Sequence, residues 1–96
     1  MVERIFLFKL NEPDSRHEVA ALTQAALADL GDVEELSVGT PADPNSEKSW
    51  DLSVVLGVVN LTLLDTLLES APVVRWYQDM SARSAVVKAW SFDRLG

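Results

Sequence analysis

The stretch Arg4-Ile5-Phe6-Leu7-Phe8-Lys9-Leu10 constrains this chain more than any other. Along an extended strand, successive side chains point to opposite faces. Phe6, Phe8 and Leu10 therefore share one face, and Ile5 and Leu7 share the other. A strand that is apolar on both faces belongs in the middle of a sheet covered on both sides. The feature dictates architecture and assembly. It specifies no reaction.

The remaining totals narrow the class. The 96 residues, 48% of them hydrophobic, are enough for one domain, 1–96, with a single core. There is no cysteine, so disulfides and thiol chemistry are excluded and the soft ligand of a structural zinc is missing. The formal net charge of −7 leaves no basic patch for nucleic acid or for anionic lipid. The opening residues do not read as a secretory leader, because the apolar run after Glu3 and Arg4 is soon broken by Lys9. The longest uncharged stretch, Leu52 to Leu64, is too short to span a bilayer. The expectation is a cytoplasmic protein with no membrane or nucleic-acid partner.

Alternation and helical periodicity order the elements as β-α-β-β-α-β. The first strand covers Val2 to Leu10. Ser15 and Glu18 fit a capping box at the start of a helix that runs to Leu30 and stops at Gly31. Its apolar stripe is Val19, Leu22, Thr23, Ala26 and Leu30, widened along one edge by Ala20 and Leu27. The second strand is Val33 to Thr40, with Leu36 and Val38 on one face and Glu35, Ser37 and Gly39 on the other. The polar segment Pro41 to Ser49 reads as a mobile loop. In the third strand, Trp50 to Val58, the residues Trp50, Leu52, Val54, Leu56 and Val58 share a face, and Asp51, Ser53, Val55 and Gly57 share the other. Asn60 caps a second helix with the stripe Leu61, Leu64 and Leu68, and Leu63 and Leu67 at its edge. That helix is broken at Pro72, and Val73, Trp76, Tyr77 and Met80 follow at helical spacing. Ala85 to Phe92 is the last strand.

This order is the split βαβ, ferredoxin-like α+β arrangement. Right-handed crossovers place the helices on one face of a four-stranded antiparallel sheet in the order 4-1-3-2. The helices cover Phe6, Phe8, Leu36, Val38 and the apolar face of the third strand. Ile5, Leu7 and Val55 remain on the opposite face, each representing about 1.5–3 kcal/mol if buried. A second copy packed sheet to sheet recovers that energy. Lys9, opposite Glu35 or Asp51, suits the polar rim of such a homodimer.

Several residues are candidates for a site. Arg4 starts the central strand on its helix-facing side, where it can hold a carboxylate or phenolate; a solvated or salt-bridged strand-end arginine is the plainer reading. Arg83 is a possible second cation. Phe6, Phe8, Trp50, Trp76 and Tyr77 can line an apolar ligand pocket or simply pack the core. His17, the only histidine, lies on the polar side of its helix, and Asp65 and Glu69 form a solvated acidic face. Asp43, Asn45 and Glu47 alternate oxygen ligands, but Lys48 and Val54 stand where a calcium loop needs glycine and a carboxylate. No residue pattern supports a metal or a cofactor.

Arg4-Ile5-Phe6-Leu7-Phe8-Lys9, Gly39, Trp50-Asp51-Leu52 and Ser70-Ala71-Pro72 together resemble the landmarks of the stress-responsive A/B barrel domain (Dabb) family, in the dimeric α+β barrel superfamily. The resemblance covers nearly the whole chain. It implies a homodimer whose sheets form a barrel, with a pocket between sheet and helices in each subunit. Most such domains have no established activity, a few relatives cyclise polyketide chains, and wider cousins are cofactor-free monooxygenases and decarboxylases. Relatives often carry histidine at the position of Arg4 and a His-Pro-x-His motif where this chain has Ala71-Pro72-Val73-Val74. In the cyclases, the histidines matching Arg4 and Val74 do the pocket's acid–base work, which neither arginine nor valine can perform near neutral pH. The preferred expectation is a barrel protein that binds a hydrophobic small molecule or serves an accessory or stress role without catalysis. The alternative is a cofactor-independent enzyme on an aromatic or polyketide-like substrate, using Arg4 and Tyr77. A third reading, a purely structural oligomer, requires a filled interior.

Overall fold

In a computed structural model, which describes residues 1–96, four strands form one antiparallel sheet in the order β2-β3-β1-β4. β1 spans Val2–Leu10, β2 Glu35–Gly39, β3 Leu52–Val58 and β4 Ser84–Asp93. Four helices connect them: α1 (Arg16–Leu27), α2 (Pro44–Ser49), α3 (Leu61–Leu68) and α4 (Ala71–Ala82). This is the ferredoxin-like α+β topology and strand order that the sequence predicts. No helix is long and apolar enough to cross a membrane.

The alternation of β1 and β3 builds the core. Ile5 pairs with Val55 and Phe6 with Val54, and on the other side of β1 Ile5 pairs with Trp90. The face carrying Phe6, Phe8, Leu52, Val54, Leu56 and Val58 is closed over by Val19 and Leu27 of α1, Leu64 and Leu67 of α3, and Val73, Trp76 and Met80 of α4. Each side chain of this size buried there contributes roughly 1.5–3 kcal/mol. The other face is left without helices.

Several local expectations are corrected. The segment read as a mobile loop contains α2. Asp43 caps it by accepting the Ser46 N–H at 2.7 Å, and Pro44 occupies its first turn. The Ser46 amide, chief among the donors there, holds the Asp43 carboxyl below its ordinary range. The capping box of α1 does not form. A 3-10 turn at Pro13–Ser15 precedes the helix, and the Ser15 hydroxyl donates to the Glu12 carbonyl at 2.7 Å instead of accepting from the helix.

α1 also ends earlier, at Leu27, and Gly31 has no left-handed conformation. The chain leaves through a turn closed by Val33 N–H to the Leu30 carbonyl. The buried stripe of α1 is Val19, Thr23 and Leu27, with Leu22 and Ala26 exposed. A cross-helix bond sets this rotation: Trp76 Nε1–H donates to Thr23 Oγ1 at 3.0 Å within the core. In α3 the buried pair is Leu64 and Leu67, and Leu61 is exposed. Asn60 caps α3 as expected, accepting the Leu63 N–H at 2.9 Å. Pro72 sits in the first turn of α4.

The alternation of β3 fails at its first residues. Asp51 was expected beside Ser53 on the open face but is fully buried. Its carboxylate accepts Leu10 N–H at 2.9 Å and Arg16 Nη2–H at 2.6 Å. Trp50, which precedes β3, is not among the core residues and instead lines a cavity with Leu7, Gly39, Leu52 and Ser53.

Candidate functional site

Between the sheet and the helices lies a cavity of about 350 Å³ lined by Arg4, Phe6, Leu68, Val73, Val74, Tyr77 and Gln78. β1 supplies Arg4 and Phe6 on its helix-facing side. α4 supplies Val73, Val74, Tyr77 and Gln78, and its start is set by the Pro72 break. The walls are mostly apolar, with three polar side chains converging on them, which is the composition of a small-molecule site.

Arg4 is partly shielded. Its Nη1 donates to Ser91 Oγ at 3.1 Å, across the β1–β4 pair. Its guanidinium carbon lies 5.4 Å from the centre of the Phe6 ring, within cation–π range. Its Nε is enclosed and meets no acceptor within the chain. No carboxylate pairs with Arg4, so of the two plainer readings of this arginine the salt bridge is absent, while its partial exposure still allows solvation. Phe6 connects the cavity to the core: its ring stands edge-on to Trp76 at 5.1 Å and tilted to Tyr77 at 5.7 Å between centroids.

The six residues proposed for a ligand pocket divide into three groups. Arg4, Phe6 and Tyr77 share this cavity. Phe8 is fully buried, stacked at 6.1 Å on Phe6. Trp76 belongs to the core through its bond to Thr23, and its outer edge helps to line a groove with Leu22, Pro72 and Arg83 on the far side of α4. Trp50 lines a separate cavity of about 250 Å³ with Leu7, Gly39, Pro41, Ala42 and Ser46. It precedes β3, so the alternation of that strand does not place it over the core. Arg83, the suggested second cation, is bonded to Asp79 at 3.0 Å and does not reach Arg4. His17, Asp65 and Glu69 are exposed, and no group of three or more His, Cys, Asp or Glu side chains is placed to hold a metal.

Two charged clusters escaped the sequence reading. In the first, Arg16 bonds both Asp51 and, at 3.2 Å, Glu47 of α2; the hydrogen bond to Asp51 is the main cause that raises its pKa further. Lys9, expected on a rim opposite Glu35 or Asp51, forms an ion pair with Asp51 Oδ2 at 3.8 Å and also donates to the Glu47 and Lys48 carbonyls at the end of α2. In the second, Arg94 bridges Glu3 at 2.6 Å and Glu35 at 2.5 Å, and the hydrogen bond to Arg94 holds the Glu35 carboxyl below its ordinary range. Neither cluster has a periodic signature. Each joins residues far apart in sequence through one arginine.

Ile5, Leu7 and Val55 lie half-buried on the open face, as their alternation requires. β4 adds Val86, Trp90 and Phe92 to it through the register with Lys9, Ile5 and Glu3. Those three went unassigned because the last strand alternates poorly.

No family model and no curated protein matches the chain. Solved structures do, at the level of fold. A dimeric protein of unknown function with a ferredoxin-like fold from Bacteroides fragilis is 16% identical, with 97% of this chain and 95% of that one covered and a TM-score of 0.78. A dabb family protein with a ferredoxin-like fold from Mesorhizobium loti is 9% identical, with 99% and 97% covered and a TM-score of 0.80. The hydroxynitrile lyase from Passiflora edulis is 10% identical, with 95% and 90% covered and a TM-score of 0.77. The likeness to the stress-responsive A/B barrel domains read from the sequence thus extends over the whole fold.

Proposed function

We propose that this chain works as a cytoplasmic, homodimeric α+β barrel protein of the stress-responsive A/B barrel type. Each subunit binds a hydrophobic or aromatic small molecule with an anionic group, and no catalysis follows. The observation that carries this reading is the cavity in which the guanidinium of Arg4 stands against Phe6, Tyr77 and an aliphatic wall. A planar, fork-shaped cation beside an aromatic surface suits an aromatic carboxylate or phenolate. The open sheet face, with Ile5, Leu7 and Val55 at its centre, supports the homodimer, as do the dimeric structures that share the fold.

The positions where cyclase relatives keep their histidines, Arg4 and Val74 here, line this same cavity. That overlap supports reading the cavity as the counterpart of the relatives' pocket with a different chemistry, since its lining residues include no histidine or carboxylate. A proton taken from a bound molecule has no side chain there suited to receive it and return it.

Calorimetric titration with 2-naphthoate and its neutral amide tests the reading. The carboxylate should bind tighter than the amide, and Arg4→Gln should erase that difference while leaving the fold intact by circular dichroism. Equal binding of the two compounds to the parent protein, or an unchanged preference in the variant, removes Arg4 from the site. One observation favours a second reading, a cofactor-independent enzyme: Arg4 and Tyr77 flank one cavity, on a fold shared with a lyase. Under that reading they stabilise an enolate or phenolate formed from the ligand. Turnover of an aromatic or polyketide-like ligand, lost in Tyr77→Phe, would select it.

A further inference from the structure

α1 and α4 lie side by side, joined in the core by the Trp76–Thr23 bond and by the Thr23 hydroxyl, which donates to Met80 Sδ at 3.8 Å. Outside that contact they leave a groove of about 410 Å³, on the far side of α4 from the Arg4 cavity. Trp76 and Met80, both buried, form its floor. Leu22 and Ala26 of α1 form one wall, and Leu22 is 46% exposed there. The other wall is charged. Arg75, Asp79 and Arg83 follow one another at four-residue steps along α4, roughly 6 Å apart along the helix axis. In a chain of formal net charge −7, this wall carries a net positive charge and reads plus, minus, plus. Asp79 engages only Nε of Arg83, at 3.0 Å, so both Nη groups of Arg83 stay free. Arg75 takes part in none of the chain's ion pairs.

An open groove with one apolar wall and one patterned, charged wall fits a third helix. A helix laid in a groove buries a stripe of apolar side chains and carries charges along its flank. That flank repeats at the same four-residue step as α4, so acid, base and acid at i, i+4 and i+8 fall opposite Arg75, Asp79 and Arg83 in register. The reverse pattern sets like charges against each other at all three positions, which is strongly disfavoured. No segment of this chain supplies the complement. None of its Lys or Arg residues has an acidic residue four positions before it and another four positions after it. The occupant is therefore a different protein and not a second copy.

We propose that the groove between α1 and α4 is the docking site for an amphipathic helix of a partner protein. Its apolar stripe packs on Leu22, Ala26 and Trp76, and its flank sets acid, base and acid against Arg75, Asp79 and Arg83. The site is independent of the Arg4 cavity and of the open sheet face.

Two labelled synthetic helices of about 20 residues, long enough to hold their fold, test the proposal by fluorescence anisotropy. Both carry the same leucine stripe. One has Glu, Lys and Glu at i, i+4 and i+8 on its flank, and the other has Lys, Glu and Lys. The first should bind the parent protein about tenfold or more tighter than the second. Arg75→Glu, Asp79→Lys and Arg83→Glu made together should exchange that preference. All three positions are exposed, and the reversed set keeps an opposite-charge pair at 79 and 83, so the fold is retained and circular dichroism checks it. Leu22→Ser should weaken both complexes. Equal binding of the two peptides to the parent, no exchange in the reversed variant, or a Leu22→Ser variant that binds as the parent does would each overturn the proposal. So would the absence of binding by the first peptide at about 1 mM, the weak end of the affinity scale.

Discussion

With its carboxylate fully enclosed, Asp51 joins three segments that are distant in the chain: the end of β1 through Leu10, the first turn of α1 through Arg16, and the end of α2 through Lys9 and Arg16. Taking a carboxylate out of water is costly, and here a backbone amide and a guanidinium at short distance offset that cost. Removing the carboxylate leaves both donors without their acceptor. Asp51→Ala should therefore lower the unfolding free energy by about 3 kcal/mol, read as a drop in the urea midpoint at constant slope. A change within experimental error would show that the cluster is dispensable. Alternation assigns side chains by parity, and Asp51, which parity places on the open face, turns inward to its ion pair. Nothing in a pattern of apolar residues announces which arginine a carboxylate will meet.

At the level of elements, strands that pack on both faces were legible to within a residue or two, because β1 and β3 have no alternative register that buries as much. Helix rotation was less legible. Leu22, Ala26 and Leu27 are chemically similar candidates for the inner face of α1, and the choice is made by the Thr23–Trp76 hydrogen bond. The short helix α2 was missed because six polar residues bury nothing; it is held by its Asp43 cap and by the ties to Lys9 and Arg16. Its pH response follows in sign. The folded pKa of Asp43 is depressed by the amides it caps, so its contribution is fully present above the ordinary carboxylate pKa near 3.9 and is lost as pH falls through the lower folded value. Asp43→Asn, which keeps an acceptor without the titration, should flatten the acid dependence of amide protection at Ser46. Identical acid profiles in the two proteins would mean the cap does not govern α2.

For the whole molecule, the strand order was legible because the split βαβ arrangement with right-handed crossovers gives 4-1-3-2, and this order also puts the two most apolar strands at the centre. The cavity was legible as a set of positions rather than as a space. Arg4, Phe6 and Tyr77 meet there, whereas Phe8 and Trp76 are spent on packing the core. Which aromatics leave room for a ligand depends on volumes that periodicity does not encode. Under the proposed homodimer, stability depends on concentration, since only the folded chain associates. A tenfold dilution near the dissociation constant of that dimer should lower Tm by a few degrees. A Tm independent of concentration over a hundredfold range would argue for a folded, independent monomer.

The pairing of Val2 with Asp93 has a consequence for how the chain comes to be folded. β1, made before the other three strands, lies between β3 and β4, the last of the four to be made. Its Phe6 and Phe8 cannot gain both neighbouring strands until β4 has emerged. Closing so long a loop is entropically costly before the contacts form, and topologies of this kind fold more slowly than helical bundles. A nascent chain halted before β4 therefore presents a central strand with one bare hydrogen-bonding edge, the most adhesive surface the molecule ever exposes.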